Sequence, residues 1–213
     1  MFALASLALT RLEESCSVKI AHQANLLFQS TALRLTQGQH LDISFENLEQ
    51  VELESYWQMV GGKTAALLAF SLEVGALCAG VSPERQAIFH NFGHYLGMAF
   101  QVQDDILGIW GDEELIGKTT TGDLVERKKT LPVLFGLGQK KAFYQAWQND
   151  SITPDLALEM AQLLEVEGGR AYAQSTADRL TDLALDSLDK AKPEGNAARI
   201  LRDLAQKLLK RKD

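Results

Sequence analysis

Two adjacent carboxylates stand in an apolar run of the chain. Asp104 and Asp105 lie within Phe100–Ile109, where most of the other residues are apolar. Burying an uncompensated charge costs several kcal/mol, so a cation is expected opposite the pair. Mg²⁺ fits this demand because it takes oxygen ligands, keeps several waters and is commonly shared between one or two carboxylates and substrate phosphates. The pair therefore indicates a magnesium site that faces a phosphate.

Lysines and a glycine-threonine segment follow the carboxylates. Lys118 lies in the sequence IGKTTTG, and Lys128 and Lys129 come shortly after it. Compact positive charges beside flexible backbone suit a diphosphate, which carries high negative charge. The alternative is an exposed acidic helix face followed by a charged, solvated loop, and residue types alone leave both interpretations open.

The same residues resemble the pattern of a known family. In the trans-isoprenyl diphosphate synthases, or polyprenyl synthetase family, the second aspartate-rich region reads F-Q-x-x-D-D-x-x-D and precedes a G-K segment and a K-x-T-x-P segment. Upstream, the family has a G-Q-x-L-D-like segment and a K-T pair. The matching residues, in order, are Gly38, Gln39, Leu41, Asp42, Lys63, Thr64, Phe100, Gln101, Asp104, Asp105, Gly117, Lys118, Lys128, Thr130 and Pro132.

The resemblance implies an activity and a role for each matched side chain. Family members are all-α bundles, usually homodimers, that use Mg²⁺ to condense an allylic diphosphate with isopentenyl diphosphate. By analogy, Asp104 would be the principal magnesium ligand, and Asp105 would support it through the metal's waters. Lys63 and Lys118 would neutralise the departing diphosphate, and Phe100 would line the pocket beside the allylic chain.

The remaining matches would contact substrate. Thr64 and Gln101 would form hydrogen bonds with it, and Gln39 and Lys128 would belong to the substrate-binding set. For Lys128 an alternative stays open, because the neighbouring Lys129 could equally well be the residue that faces the site.

The chain also departs from the family pattern. Gly108 stands where the motif has its third aspartate, and Asp104-Asp105 is the only Asp-Asp pair in the sequence. The family's first aspartate-rich region is therefore expected to be absent, so that the chain is N-terminally truncated. Two interpretations follow: a truncated or split synthase that needs a complementing segment, or a non-catalytic subunit that pairs with an active synthase. A terpene cyclase is less favoured because no N-D-x-x-S-x-x-x-E pattern is present.

Helices must position these side chains. Apolar residues recur at helical spacing throughout, and no β-alternation of any length occurs. Ser82-Pro83 and Thr153-Pro154 are N-cap signatures, and Gly80 is suited to a helix C-terminus. The sequence predicts an all-α, single-domain isoprenoid-synthase-type bundle over residues 1–213, with eight or nine helices.

Several local features are expected within this bundle. Residues 111–122 should form a loop, Asp123 should cap the next helix, and Pro132 should kink it. Gly61 and Gly62 should mark a break or a close packing contact. His90 and His94 share a helix face, but helix packing or surface placement is favoured over a metal site because no third ligand is near in sequence.

Composition limits the function classes. The 213 residues carry a net charge of -7, so the protein is not expected to bind nucleic acid. The two cysteines lie in apolar helical segments and lack C-x-x-C spacing, so they are expected to be buried, reduced thiols and not a disulfide or a zinc site. The N-terminus has no basic n-region, and no apolar run is expected to reach the roughly 18 residues of a membrane helix. A soluble, cytoplasmic protein without an integral membrane segment is predicted.

Overall fold

The computed structural model describes residues 2–111 and 121–209, and the regular elements in these two ranges are all helical. The predicted all-α class is therefore confirmed. Eleven α-helices occur in the described ranges: α1 (Phe2–Thr10), α2 (Val18–Phe45), α3 (Leu53–Val60), α4 (Ala66–Cys78), α5 (Pro83–Trp110), α6 (Gly122–Val125), α7 (Leu131–Gln139), α8 (Ala142–Trp147), α9 (Pro154–Val166), α10 (Gly169–Ala191) and α11 (Gly195–Leu209). A 3₁₀ turn, Arg11–Glu14, separates α1 from α2.

Helix α5 forms the centre of the fold. Ser82 caps it by accepting a hydrogen bond from the Arg85 backbone N–H, and Pro83 occupies its first turn, as predicted. Its 28 residues extend about 42 Å at 1.5 Å per residue. It packs against α4 and along α10. The main core surrounds it, where Val102 and Ile106 pack with residues of α3, α7 and α10. Among the described helices, the aspartate pair is thus held on the one that contributes the most buried residues.

Helices α3 and α4 form one continuous helical run from Leu53 to Cys78. A single π turn, Gly61–Ala65, joins them. The predicted close packing occurs here, because a Cβ on Gly62 would lie 2.6 Å from the Arg34 carbonyl oxygen of α2. The run ends as predicted, with Gly80 in the left-handed region at φ 69°.

Three local expectations differ from the structure. Asp123 does not cap a helix: Thr121, at φ 62°, precedes α6, and its side chain makes no capping hydrogen bond. Pro132 lies in the first turn of α7, where a missing N–H is harmless, so it begins a helix and does not kink one. The described helices also outnumber the prediction, because α6 and α8 are too short to show a periodic pattern.

One helical stretch meets the length and composition criteria for crossing a membrane. It is Leu53–Cys78, with a mean hydropathy of 1.3 over its most apolar window. Half of that window is buried inside the fold. It also contains Lys63, which forms an ion pair with Asp42. The expectation that no apolar run reaches membrane length was therefore wrong for this segment by length and composition, although its burial and its ion pair are typical of a helix that packs in a protein core.

Candidate active site

The π turn carries the K-T pair. Lys63 and Thr64 lie in the middle of Gly61–Ala65, where the backbone is wound with one extra residue per turn. Helix α2 crosses this turn so closely that a Cβ on Gly38 would overlap the Lys63 backbone. Glycine is required at this crossing. This contact therefore fixes the position of Lys63 and Thr64 along the axis of α2.

An ion pair holds the Lys63 side chain against α2. Its Nζ donates to Asp42 Oδ2 over 2.5 Å, and both side chains are about one-third exposed. The Gln39 amide donates to the same Oδ2 over 3.4 Å. The matched residues Gln39, Asp42 and Lys63 therefore form one cluster, and its ammonium group remains partly accessible to a ligand.

A chain of hydrogen bonds connects the π turn to α5. Thr64 Oγ1 donates to Gln101 Oε1 over 2.7 Å, although the two residues are 37 positions apart. The Gln101 amide in turn donates to Asp105 Oδ1 over 3.1 Å. An amide nitrogen has two N–H groups, so Gln101 retains donor capacity beyond this contact. The K-T pair and the aspartate motif thus belong to a single network.

Asp105 is an internal anchor of that network. It is 4% exposed. Its Oδ2 accepts hydrogen bonds from the Tyr56 hydroxyl at 2.7 Å and from the Leu131 backbone N–H at 2.9 Å. Burial raises the pKa of Asp105; these donors and Gln101 oppose the rise, and the pKa is about 7. The carboxyl joins α3, α5 and α7, and with both oxygens bonded inside the protein it faces away from solvent. This geometry favours an anchoring role over the metal-supporting role expected from the sequence.

Asp104 and Phe100 lie nearer the surface of α5. Both are partly exposed. Asp104 is close enough to the buried Tyr56 to raise the pKa of its hydroxyl, together with the larger effects of burial and Asp105. Of the two aspartates, Asp104 is therefore the one placed to meet a ligand.

The structure separates the two neighbouring lysines. Lys129 is 8% exposed. Its Nζ lies 5.3 Å from the centre of the Trp147 ring, and burial lowers its pKa. The Lys128 side chain is 48% exposed, and its Nζ is 2.8 Å from Asp123 Oδ1. Burial alone would lower the pKa of Lys128, but its hydrogen bonds to Asp123 and Glu126 raise it above the usual lysine value. Of these two lysines, Lys128 is the one that faces outward.

Gly108 accommodates a carboxylate from another segment. A Cβ built on Gly108 would overlap Asp123 Oδ2 and would lie 2.5 Å from its Cγ. Asp123 is itself 8% exposed. The position that lacks the motif's third aspartate is therefore adjacent to an aspartate contributed by α6.

Other expected features lie outside this arrangement. Gly117, Lys118 and most of the predicted 111–122 loop fall outside the described residues. Two clefts, of about 660 and 970 Å³, are not lined by Thr64, Gln101 or Asp104; the smaller one borders Gly38 and Gly62 at the crossing of α2, and the larger one borders Lys129. His90 is paired with Glu73 at 2.7 Å, which is consistent with the favoured packing role.

Comparison with known proteins identifies the family. The polyprenyl synthetase family model matches residues 1–162. The chain belongs to this family. The (2E,6E)-farnesyl diphosphate synthase of Mycobacterium tuberculosis is 37% identical over 185 residues, which are 83% of this chain and 52% of that protein. A heptaprenyl diphosphate synthase component 2 from Geobacillus stearothermophilus is 34% identical and matches 89% of this chain and 59% of its own length.

A solved structure agrees with these sequence matches. The polyprenyl synthetase from Streptomyces coelicolor superposes with a TM-score of 0.85 at 33% identity, over 97% of this chain and 63% of that one. The polyprenyl synthetase chain described here thus spans about half the length of its curated farnesyl relative.

Three residues of this polyprenyl synthetase chain join the site without having been predicted in it. Asp42 holds Lys63, Tyr56 holds the buried carboxyl, and Asp123 holds Lys128. Asp42 had a signal, because it belongs to the matched G-Q-x-L-D segment. Asp123 had a weaker one, because it lies five residues before Lys128. Tyr56 had none, because its partner Asp105 is 49 positions away.

Proposed function

We propose that this chain supplies the diphosphate-binding part of a short-chain trans-prenyltransferase, of the type that makes farnesyl or geranylgeranyl diphosphate. The reaction would condense an allylic diphosphate with isopentenyl diphosphate. The observation that carries the proposal is the hydrogen bond between Thr64 and Gln101, which brings the K-T pair beside the aspartate motif. Family membership and the names of the relatives support it.

Magnesium is the proposed cofactor, and the donor set is compatible with it. Asp105 is committed to internal hydrogen bonds, which leaves Asp104 as the candidate ligand of the pair. Among the described residues, no group of three His, Cys, Asp or Glu side chains could form a complete metal cage. Mg²⁺ suits such a site because it commonly takes one or two carboxylates and fills its other positions with water and phosphate oxygens. When bound, it would neutralise charge on the diphosphate.

The chain's own side chains would bind and orient the diphosphate. The ammonium groups of Lys63 and Lys128 would attract its oxygens from the π turn and from the segment after α6. Gln101 would donate its remaining amide N–H, and Phe100 would contact the hydrocarbon chain. Lys118 is included by its match to the family motif. Positive groups held in place before the reaction stabilise negative charge as it develops on the departing oxygen.

We also propose that the chain acts in the cytoplasm and that it pairs with a second subunit. Large apolar side chains stand exposed along α2, among them Leu26, Leu33 and Ile43, each more than half exposed. Exposed apolar groups of this kind favour a protein partner. A homodimer is proposed, with a heterodimer as the alternative. Light scattering of the purified chain at several concentrations distinguishes the homodimer from a monomer, and co-purification with a synthase subunit tests the heterodimer.

Calorimetry with geranyl diphosphate and Mg²⁺ tests the ligand-binding proposal. The purified chain should bind, and Asp104→Asn should weaken binding about tenfold, as expected for loss of one charged contact. Asp186→Asn is the matched control, because Asp186 is exposed in a surface pair with Lys190. No heat of binding for the unaltered chain, or equal effects of the two variants, would refute the assignment of the site.

Turnover is tested separately. Isopentenyl diphosphate is added with and without a D-D-x-x-D segment of a family member supplied as a second polypeptide. The split-enzyme interpretation expects product only in the presence of that segment. The non-catalytic subunit interpretation expects no product in either case, but expects a rise in the activity of a co-purified synthase.

A further inference from the structure

The Asp123 carboxylate fills the space that a side chain at position 108 would need. No side chain can be added at Gly108 without displacing the Asp123 carboxylate, because even a Cβ would overlap its Oδ2. Gly108 is buried in α5, and Asp123 is buried at the start of α6. The glycine in the motif therefore leaves room for a carboxylate that comes from a different part of the chain.

The Asp123 carboxylate also holds a lysine. Its Oδ1 accepts a hydrogen bond from Lys128 Nζ at 2.8 Å. The Asp123 carbonyl oxygen accepts a second one from the Lys128 backbone N–H at 2.9 Å. Glu126 contacts the same ammonium at 2.8 Å, but its side chain is 64% exposed whereas that of Asp123 is 11% exposed. The buried partner is the one that fixes where Lys128 points.

We propose that Asp123 is a positioning residue for diphosphate binding, that it holds the Lys128 ammonium at the edge of the site, and that Gly108 makes this possible. The inference rests on the proposed function of the site. An ammonium group has three N–H donors, so contacts to Asp123 and Glu126 leave one for a phosphate oxygen. A lysine side chain that is already ordered loses less conformational entropy when it binds a ligand.

The first test is a double-mutant cycle on ligand affinity. Calorimetry with magnesium pyrophosphate is carried out on the purified chain, Asp123→Asn, Lys128→Met and the double variant. Asp123→Asn keeps the shape and removes the charge, and should raise Kd about three- to tenfold; Lys128→Met should raise it about tenfold. If Asp123 acts through Lys128, then Asp123→Asn should cause no further loss when Lys128 is methionine. Losses that multiply, or an Asp123→Asn variant with unchanged Kd, would overturn the proposal.

The second test addresses the contact between Gly108 and Asp123. Gly108→Ala should lower Tm by about 5 °C, as expected for one overpacked methyl group, and should raise Kd by the same factor as Asp123→Asn. Adding Asp123→Ala should restore most of the lost Tm but not the affinity. Gly136→Ala is the control, because its Cβ would crowd Leu164 and Phe143 at 2.5 and 2.6 Å, away from the site. It should lower Tm and leave Kd unchanged.

The outcomes distinguish this inference from the proposed function. If the unaltered chain fails to bind magnesium pyrophosphate, the proposed function fails and the positioning role of Asp123 fails with it. The Tm values of Gly108→Ala with and without Asp123→Ala then show only whether a side chain at position 108 displaces the Asp123 carboxylate. If the chain binds but Gly108→Ala lowers Tm without changing Kd, then Asp123 has only a structural role and the inference is wrong.

Discussion

The buried carboxyl of Asp105 makes the stability of the fold depend on pH in an unusual direction. Its pKa is about 7 in the folded chain, compared with an ordinary value of 3.8. A carboxyl whose pKa is higher in the folded state binds protons more tightly there. It therefore contributes stability that is fully present below its unfolded pKa and is lost as pH rises through its folded pKa. Between pH 5 and pH 8 the contribution falls by about 2.5 kcal/mol.

The substitution Asp105→Asn isolates this contribution. The asparagine oxygen can accept the hydrogen bonds from Tyr56 and the Leu131 backbone, which both reach the same carboxylate oxygen. The asparagine amide would then face Gln101, whose own amide can rotate by a half-turn because the Thr64 hydroxyl accepts as well as donates. The variant therefore keeps the network and loses the charge.

Urea denaturation from pH 5 to pH 8, without Mg²⁺, measures the effect. The difference in unfolding free energy, wild type minus Asp105→Asn, should fall by about 2.5 kcal/mol across this range, because the other titrating groups are common to both proteins. The exposed substitution Asp186→Asn should give a flat difference. A flat difference for Asp105→Asn as well would show that the hydrogen bonds outweigh burial, and the reasoning would be refuted.

Three further predictions follow from other contacts. Tyr56→Phe removes a buried donor and should lower the unfolding free energy by about 1–3 kcal/mol in urea, whereas no change would mean that the hydroxyl is not needed. Gly62→Ala should lower the unfolding free energy by more than about 1 kcal/mol, because its Cβ would overlap the backbone of α2. Gly75→Ala is the control: the space around it is open, so its effect should be neutral or slightly stabilising. Equal effects of the two substitutions would contradict the packing described here. Cys16 and Cys78 are free thiols that are only partly buried, and burial and, after it, the neighbouring Cys16 thiol raise the pKa of Cys78. Because the two thiols are neighbours, oxidised glutathione should join them in a disulfide and release reduced glutathione, with a loss of two hydrogens by mass spectrometry. Two titratable thiols remaining after this treatment would show that the pair cannot close.

Helix type and helix starts could be predicted from sequence because their signals are local. Ser82-Pro83 and Thr153-Pro154 each place a capping oxygen before a proline, and both begin helices as expected. Pro132 was misjudged because proline is compatible with a first turn as well as with a kink, and only the conformation of Thr130 distinguishes the two. The Gly61-Gly62 pair indicated a break or close packing, but its residue types did not indicate that the backbone forms a π turn there.

The candidate site shows the same division between local and long-range information. Motif spacing located Lys63 and Asp104 in one region. It did not distinguish Asp104 from Asp105, because the difference arises from Tyr56 and the start of α7, which are 49 and 26 residues from Asp105. Asp123 was interpreted as a helix cap because its space beside Gly108 exists only after α5 and α6 have packed.

The π turn between α3 and α4 makes the site sensitive to chain length as well as to side-chain chemistry. One extra residue in that turn shifts the phase between the two helices by about 100°. Before the turn, Tyr56 meets Asp105; after it, Ala69 meets Gly93 on the same partner helix. Deleting a single residue there would restore a regular helix, and only one of these two contacts could then form. For this segment, a one-residue deletion would therefore remove a long-range contact without changing either of the side chains or backbones that form it.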